Sequence, residues 1–437
     1  MLHATSDRAW LSAMLTVEAA LARVESRLRL IPEKAAESIA AACVVERYDV
    51  ALIGVEAAES ANPVVPLVRA LKAEVGEEAA PFVHLGATSQ DILDTAMMLI
   101  AKSALGLVTE DLDRAAEAAA RLAEKYRSAL MAARTLMQQA LPTTFGLKAA
   151  GWLTSIVEAR AEIERVRETR LALQFGGAAG TLASLEDRGL EVATQLAAEL
   201  QLGEPVGPWH THRARVVAIA NALGIAASVA AKVALDVILM AQTEVAEVAE
   251  ASRAGKGDSS TLPQKQNPVE SVAILAAARG VNAQAGLLQQ AMVQEHERAA
   301  GAWQAEWPAL SEALRLAGGS VSRLADVLSG LSVDTARMRQ NLDASGGLVM
   351  AESVVMALSK QLDSVSARRL VERLVKASGS TGKSFGRLLR EDREITSKLD
   401  GTALAAALEP GNYLGASEQL IDRALGAYHA AKRKEHD

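Results

Sequence analysis

Apolar positions along this chain fall in helical patterns separated by few breakers. Such patterns cover 101–131, 145–173, 213–254 and 268–296, and the third would be about 60 Å long at 1.5 Å per residue. Before them, helical stretches alternate with turns at Ile31-Pro32 and at Asn62-Pro63-Val64-Val65-Pro66; after Asn341, shorter helices are divided by glycine loops at Gly346-Gly347 and between Gly379 and Gly386. The pattern predicts an all-α fold in three regions: an N-terminal helical domain over 1–100, a central long-helix bundle over 101–340 and a C-terminal helical domain over 341–437. Long helices that are apolar on several faces cannot hide that surface in one globule, so the bundle is expected to continue across subunits.

Composition narrows the function. Half of the 437 residues are hydrophobic but only 3% are aromatic, and the abundant alanine favours close helix packing. A net charge of -7 argues against nucleic acid as a partner and leaves the steering of an anionic substrate to local lysines and arginines. Cys43 is the one cysteine, which excludes intrachain disulfides and a thiolate metal cluster and predicts a small buried hydrophobe. No charged-then-apolar leader surrounds Asp7 and Arg8, and Arg215, Lys232, Asp236 and Glu244 interrupt the apolar 214–250 stretch. Neither a secretory signal nor a membrane span is expected, which places the protein in the cytoplasm.

The chemistry concentrates in Gly255-Lys256-Gly257-Asp258-Ser259-Ser260-Thr261-Leu262-Pro263-Gln264-Lys265-Gln266-Asn267-Pro268, a hydroxyl-rich loop running into a helix start. Asn267 suits the N-cap and Pro268 the first helical position, so the amides of that turn are expected to face whatever the loop closes over. Proton transfer at a carbon beside a carboxylate fits these residues. Lys265 would neutralise charge building on the carboxylate oxygens, Asn267 would donate to them, and Ser259 or Ser260 would be the base. A helix dipole supplies at most about 2 kcal/mol, roughly 1.5 pKa units, which is too little to ionise a serine. Lysine charge and loop closure must add the rest, so the loop is expected to order over substrate. A plain Gly/Ser linker is the competing reading of the same residues.

The loop resembles the signature of the fumarase, aspartase and argininosuccinate lyase superfamily, with Ser259, Ser260, Pro263, Lys265, Asn267 and Pro268 in place, Asp258 where glycine is usual and Leu262 where methionine is. His84-Leu85-Gly86-Ala87-Thr88-Ser89-Gln90-Asp91 and Arg134-Thr135-Leu136-Met137-Gln138-Gln139-Ala140-Leu141-Pro142 are similar to its first and second substrate-binding regions. Gln174-Phe175-Gly176-Gly177, Pro208-Trp209-His210-Thr211-His212-Arg213, Gln294-Glu295-His296-Glu297-Arg298 and Trp303-Gln304-Ala305-Glu306-Trp307 resemble one branch, the bacterial 3-carboxy-cis,cis-muconate cycloisomerases. The resemblance implies a homotetramer with shared active sites and a dicarboxylate or tricarboxylate substrate, closed to a muconolactone without metal or cofactor. It assigns Ser259, Lys265 and His84 to catalysis, and Asn267, Ser260, Thr88, Ser89, Gln90, Arg134, Gln139, His210 and Arg213 to substrate binding. Gln139 stands where many relatives carry histidine, Gln264 and Gln266 where histidine and arginine are frequent, and Ala214 where aspartate is. Other readings are a fumarate-releasing lyase of adenylosuccinate or argininosuccinate type, a 3-sulfomuconate cycloisomerase and a non-catalytic helical scaffold.

Several residues carry two readings. His84 is either an acid or binder, or a structural cap. Arg134 and Lys148 would hold a substrate carboxylate or form ion pairs within the bundle. His210 and His212 have metal-like spacing but no evident third ligand. Gly176-Gly177-Ala178-Ala179-Gly180 follows a helical pattern and not a strand, which argues against a dinucleotide loop. Trp303 and Trp307, one turn apart, read as core.

Overall fold

The computed structural model describes residues 1–251, 262 and 265–433, and these are helical with two small two-stranded sheets. The chain opens with α1 (Asp7–Arg27), α2 (Glu33–Ala42), α3 (Val50–Ser60) and α4 (Val64–Val75), then enters the long α5 (Ser89–Lys125). Strands β1 (Leu130–Thr135) and β2 (Gln138–Thr144) follow, then α6 (Phe145–Arg170), α7 (Gly189–Leu200), α8 (Ala214–Met240), β3 (Val248–Ala249), α9 (Val269–Gln290), α10 (Ala302–Ser329) and β4 (Ser332–Val333). The end of the chain carries α11 (Thr335–Asp343), α12 (Ala351–Leu358), α13 (Ser364–Thr381), α14 (Phe385–Glu391), α15 (Arg393–Thr396), α16 (Gly401–Leu408) and α17 (Ser417–Arg433).

Two compact units divide the chain: Met1–Asp113, Glu158–Ala231 and Ala273–Arg323 form one, and Arg114–Val157, Lys232–Val272 and Leu324–Asp437 the other. In the first, α1 is buried on nearly every face from Met14 to Glu25, and Ala22, Ile31, Ala36, Ile39, Leu71 and Val83 share one core cluster. Ser6 caps α1 through Ala9 N–H, and Asp49 caps α3 through the amides of Ala51 and Leu52, each giving an unpaired first-turn donor its acceptor. In the second unit, Val354, Leu370, Phe385, Leu389, Ile395 and Leu404 form a compact cluster. Asp363, Ser384, Asp392 and Asp400 cap the helices around it.

The all-α expectation holds, with instructive departures. The helix expected over 101–131 starts earlier, at Ser89, and ends at Lys125; Met131 lies instead in the β1/β2 hairpin. That hairpin turns on Leu136 and Met137, both left-handed (φ 49° and 66°) and exposed. The helix expected over 213–254 stops at Met240. Tertiary bonds end it: the Arg337 guanidinium donates to the carbonyls of Val245 and Glu244, Asn341 Nδ2 donates to Val245, and Ala246 turns left-handed at φ 51°. Propensity favours continuing the helix, but these bonds fix the chain elsewhere. By length and composition alone, Ser89–Lys125, Ala214–Met240 and Val269–Gln290 could each cross a membrane. Charged residues nevertheless interrupt all three, among them Asp94 and Lys102, Arg215 and Lys232, and Glu270 and Arg279.

Candidate active site

In the first unit the chemistry gathers where the chain turns into α5. Asp91, in the first turn of the helix, reaches back to accept the Thr88 amide at 3.0 Å, the carboxylate half of a capping box. The same carboxylate accepts from the amides of Gly176 (3.0 Å) and Gly177 (2.8 Å), from Gln174 Nε2 (3.3 Å) and from His210 Nε2 (2.7 Å). One buried acid thus stitches three stretches together. Only glycine serves at 176 and 177: a Cβ on Gly176 would lie 2.9 Å from His210 Cε1, and Gly177, at φ 68°, sits with its Cβ direction 3.0 Å from the Gly86 carbonyl.

One turn further along α5, Asp94 meets Arg213. Arg213 is 1% exposed; Nη1 and Nη2 donate to Asp94 at 2.6 and 3.0 Å, and Nη2 and Nε donate to Glu306 at 2.6 and 3.0 Å. The Trp209 ring lies beneath the guanidinium, 4.8 Å away. Gln90 Nε2 and Trp303 Nε1 donate to Asp94, and Gln294 Nε2 to Glu306. Burial works against the Arg213 charge, but the two carboxylates hold its pKa above the ordinary value. Arg298 closes the network, donating to Gln90 Oε1 (3.0 Å) and the Ala178 carbonyl (2.8 Å).

The residues named from sequence in this unit therefore separate into two groups. Gln90, His210 and Arg213 are buried and bonded to protein: Gln90 and Arg213 through all their polar groups, His210 through Nε2 to Asp91. His210 does have a carboxylate beside it, contrary to the expectation from sequence; among the described residues, however, no three His, Cys, Asp or Glu side chains form a metal-binding group. Thr88 and Ser89 are half-buried, at the positive end of a 37-residue helix, where short hydroxyl donors suit an anionic group. His84 is half-buried with Nδ1 2.6 Å from Glu18 Oε1. Burial alone would favour the neutral ring, but the charge and hydrogen bond of Glu18, helped by Asp91, hold the imidazole above its ordinary pKa.

The second unit holds the other named residues. Arg134 is paired: its guanidinium donates bidentately to Glu247 at 2.9 and 2.7 Å, and Asn341 Nδ2 donates to the same carboxylate at 2.9 Å. Gln139 is exposed and donates to the Asn341 carbonyl. Burial holds the Lys148 ammonium below its ordinary pKa, against Asp236. Lys265 is exposed and Asn267 half-buried; Ser259 and Ser260 lie outside the described residues. At the start of α9 the expected capping is corrected. Val272 N–H bonds to the Pro268 carbonyl, which makes Pro268 the cap position. The amides of Glu270 (3.1 Å) and Ser271 (2.8 Å) are taken by Glu250. A carboxylate from this chain occupies the positive helix end that was expected to face substrate.

Sequence reading missed Glu18 and Glu306 as site-forming residues. The available signal was a carboxylate set in an apolar helical stripe, as at Glu18 and Glu25 of α1.

The family model described as "Lyase" matches residues 1–282, and that described as "Adenylosuccinate lyase C-terminus" matches residues 347–424. The chain belongs to this lyase family. A 3-carboxy-cis,cis-muconate cycloisomerase of Bradyrhizobium diazoefficiens is 45% identical, over 97% of this chain and 95% of that one. A nitrosuccinate lyase of Streptomyces davaonensis is 43% identical, over 97% and 91%. The crystal structure of the 3-carboxy-cis,cis-muconate lactonizing enzyme of Pseudomonas putida superposes with a TM-score of 0.93 at 38% identity, covering 98% of this chain and 96% of that one.

Proposed function

We propose that this protein is a cycloisomerase that converts 3-carboxy-cis,cis-muconate to 4-carboxymuconolactone in the breakdown of aromatic acids. Full-length similarity to the Bradyrhizobium cycloisomerase, at 45% identity, carries the reading. In the forward direction a substrate carboxylate oxygen adds to the alkene carbon, the electron pair moves into the conjugated carboxyl group, and a proton is delivered to the carbon beside it. In reverse this is a β-elimination in which Ser259 removes the proton while Lys265 and Asn267 stabilise the doubly charged carboxylate. His84, Thr88 and Ser89 receive a second carboxylate. Nucleophile and leaving group belong to one molecule, so alignment supplies much of the rate and the reaction calls for no cofactor.

A homotetramer with shared active sites belongs to the same reading, as does a cytoplasmic location. The apolar windows of α8 and α9 are only 50% and 33% buried within the chain, surface that subunit contacts would cover.

Loss of the muconate ultraviolet chromophore on adding the protein tests the reaction. Ser259→Ala is expected to reduce kcat by about 10³-fold or more, with Tm unchanged; near-normal turnover would remove Ser259 from the mechanism. The nitrosuccinate lyase relative at 43% identity supports a second reading, elimination from a substituted succinate. A chromophore that persists with muconate while fumarate accumulates from a succinyl substrate would favour it.

A further inference from the structure

Glu18 is 1% exposed on α1, yet one of its oxygens lies 2.6 Å from Nδ1 of His84 and the other has no hydrogen-bond partner among the described residues. His84 in turn holds a left-handed backbone at φ 64°, a conformation uncommon outside glycine but one in which histidine, like asparagine and aspartate, is enriched. A turn alone would not call for a carboxylate buried to meet the ring. Four and five residues on, the Thr88 and Ser89 hydroxyls lie at the start of α5.

We infer that Glu18 is the positioning residue for His84: it takes Nδ1–H, fixes the ring, and leaves Nε2 as the nitrogen that donates to a substrate carboxylate received at Thr88 and Ser89. This rests on the reading above that the substrate is a polycarboxylate. A carboxylate on one ring nitrogen setting the role of the other is a general device for histidine. The neighbouring charges agree with it. Asp91 favours the charged ring with Glu18, while Lys72 and burial oppose it. Glu25, pushed up to about 9 by burial and by Glu18, and Cys43, pushed up to about 12 by burial, Glu18 opposing Arg23, are uncharged near neutral pH and do not compete for the proton. The ring is therefore an imidazolium at low pH, and the Nε2–H donor is lost as pH rises through the raised pKa.

The test is an NMR pH titration of the histidine rings in the full-length protein, with His84 assigned by its absence in His84→Gln, run beside the pH profile of kcat/KM. The wild-type midpoint is expected above about 6.5. Glu18→Gln should lower it by about one unit, and the alkaline limb of kcat/KM should move with it, KM at pH 8 rising about tenfold while kcat changes less. An unmoved midpoint in Glu18→Gln overturns the inference, as does a fall in Tm with neither midpoint displaced. A wild-type midpoint at or below about 6.5 overturns it even if Glu18→Gln does not fold. The expected titration in a protein that leaves muconate unchanged would support the pairing and refute the reaction.

Discussion

Asp91, Asp94 and Glu306 around the start of α5 have a donor on every carboxylate oxygen, whereas Glu25 on α1, just as buried, has a donor on neither among the described residues. Both sites lie in the same compact unit. A buried carboxylate supplied with backbone amides and a guanidinium can organise a site; one that is not supplied becomes a neutral acid. Glu25 accordingly sits near 9. Burial lifts Glu306 as well, with Arg213 pulling the other way, so the network depends on that one cation.

Removing the cation is expected to have the largest effect. Arg213→Met leaves Asp94 and Glu306 buried without a counter-charge and should cost about 3–5 kcal/mol in urea unfolding; a loss below about 1 kcal/mol would mean that the neutral donors suffice. Next, Glu25→Met should stabilise. The folded chain holds a proton at Glu25 that the unfolded chain releases above 4.5, so stability falls as pH rises from about 4.5 to about 9. The substitution should remove that slope and add up to about 3 kcal/mol at pH 7, read from Tm at pH 5 and pH 8. An unchanged slope would show that Glu25 is not neutral. Smallest, Arg134→Met should cost about 1–2 kcal/mol, because Asn341 still donates to Glu247 and the arginine is 26% exposed. A loss as large as that of Arg213→Met would erase the distinction between saturated and partly exposed pairs.

The fold was largely legible because α6, α8 and α9 carry long apolar patterns. The helix ends were not. Met240 ends α8 because Arg337 and Asn341 bind carbonyls about a hundred residues away in sequence, and local pattern has no access to such bonds. The site shows the same division. Motif reading found the turn from His84 to Asp91 and the Pro208–Arg213 stretch and gave Gln90, His210 and Arg213 substrate contacts, but it did not foresee the tertiary partners the fold gives them. A side chain's residue type reveals what it can bond; only the fold reveals what it already bonds.

Arg298 reaches both Gln90 and the Ala178 carbonyl, and Asp91 reaches Gly176, Gly177 and His210. Four signature stretches that read as separate words are therefore grammatically bound to one another. Anyone grafting a single one from a relative to change what the enzyme accepts would be importing a fragment without its sentence; 84–94, 174–180, 208–213 and 294–306 should be exchanged as one block.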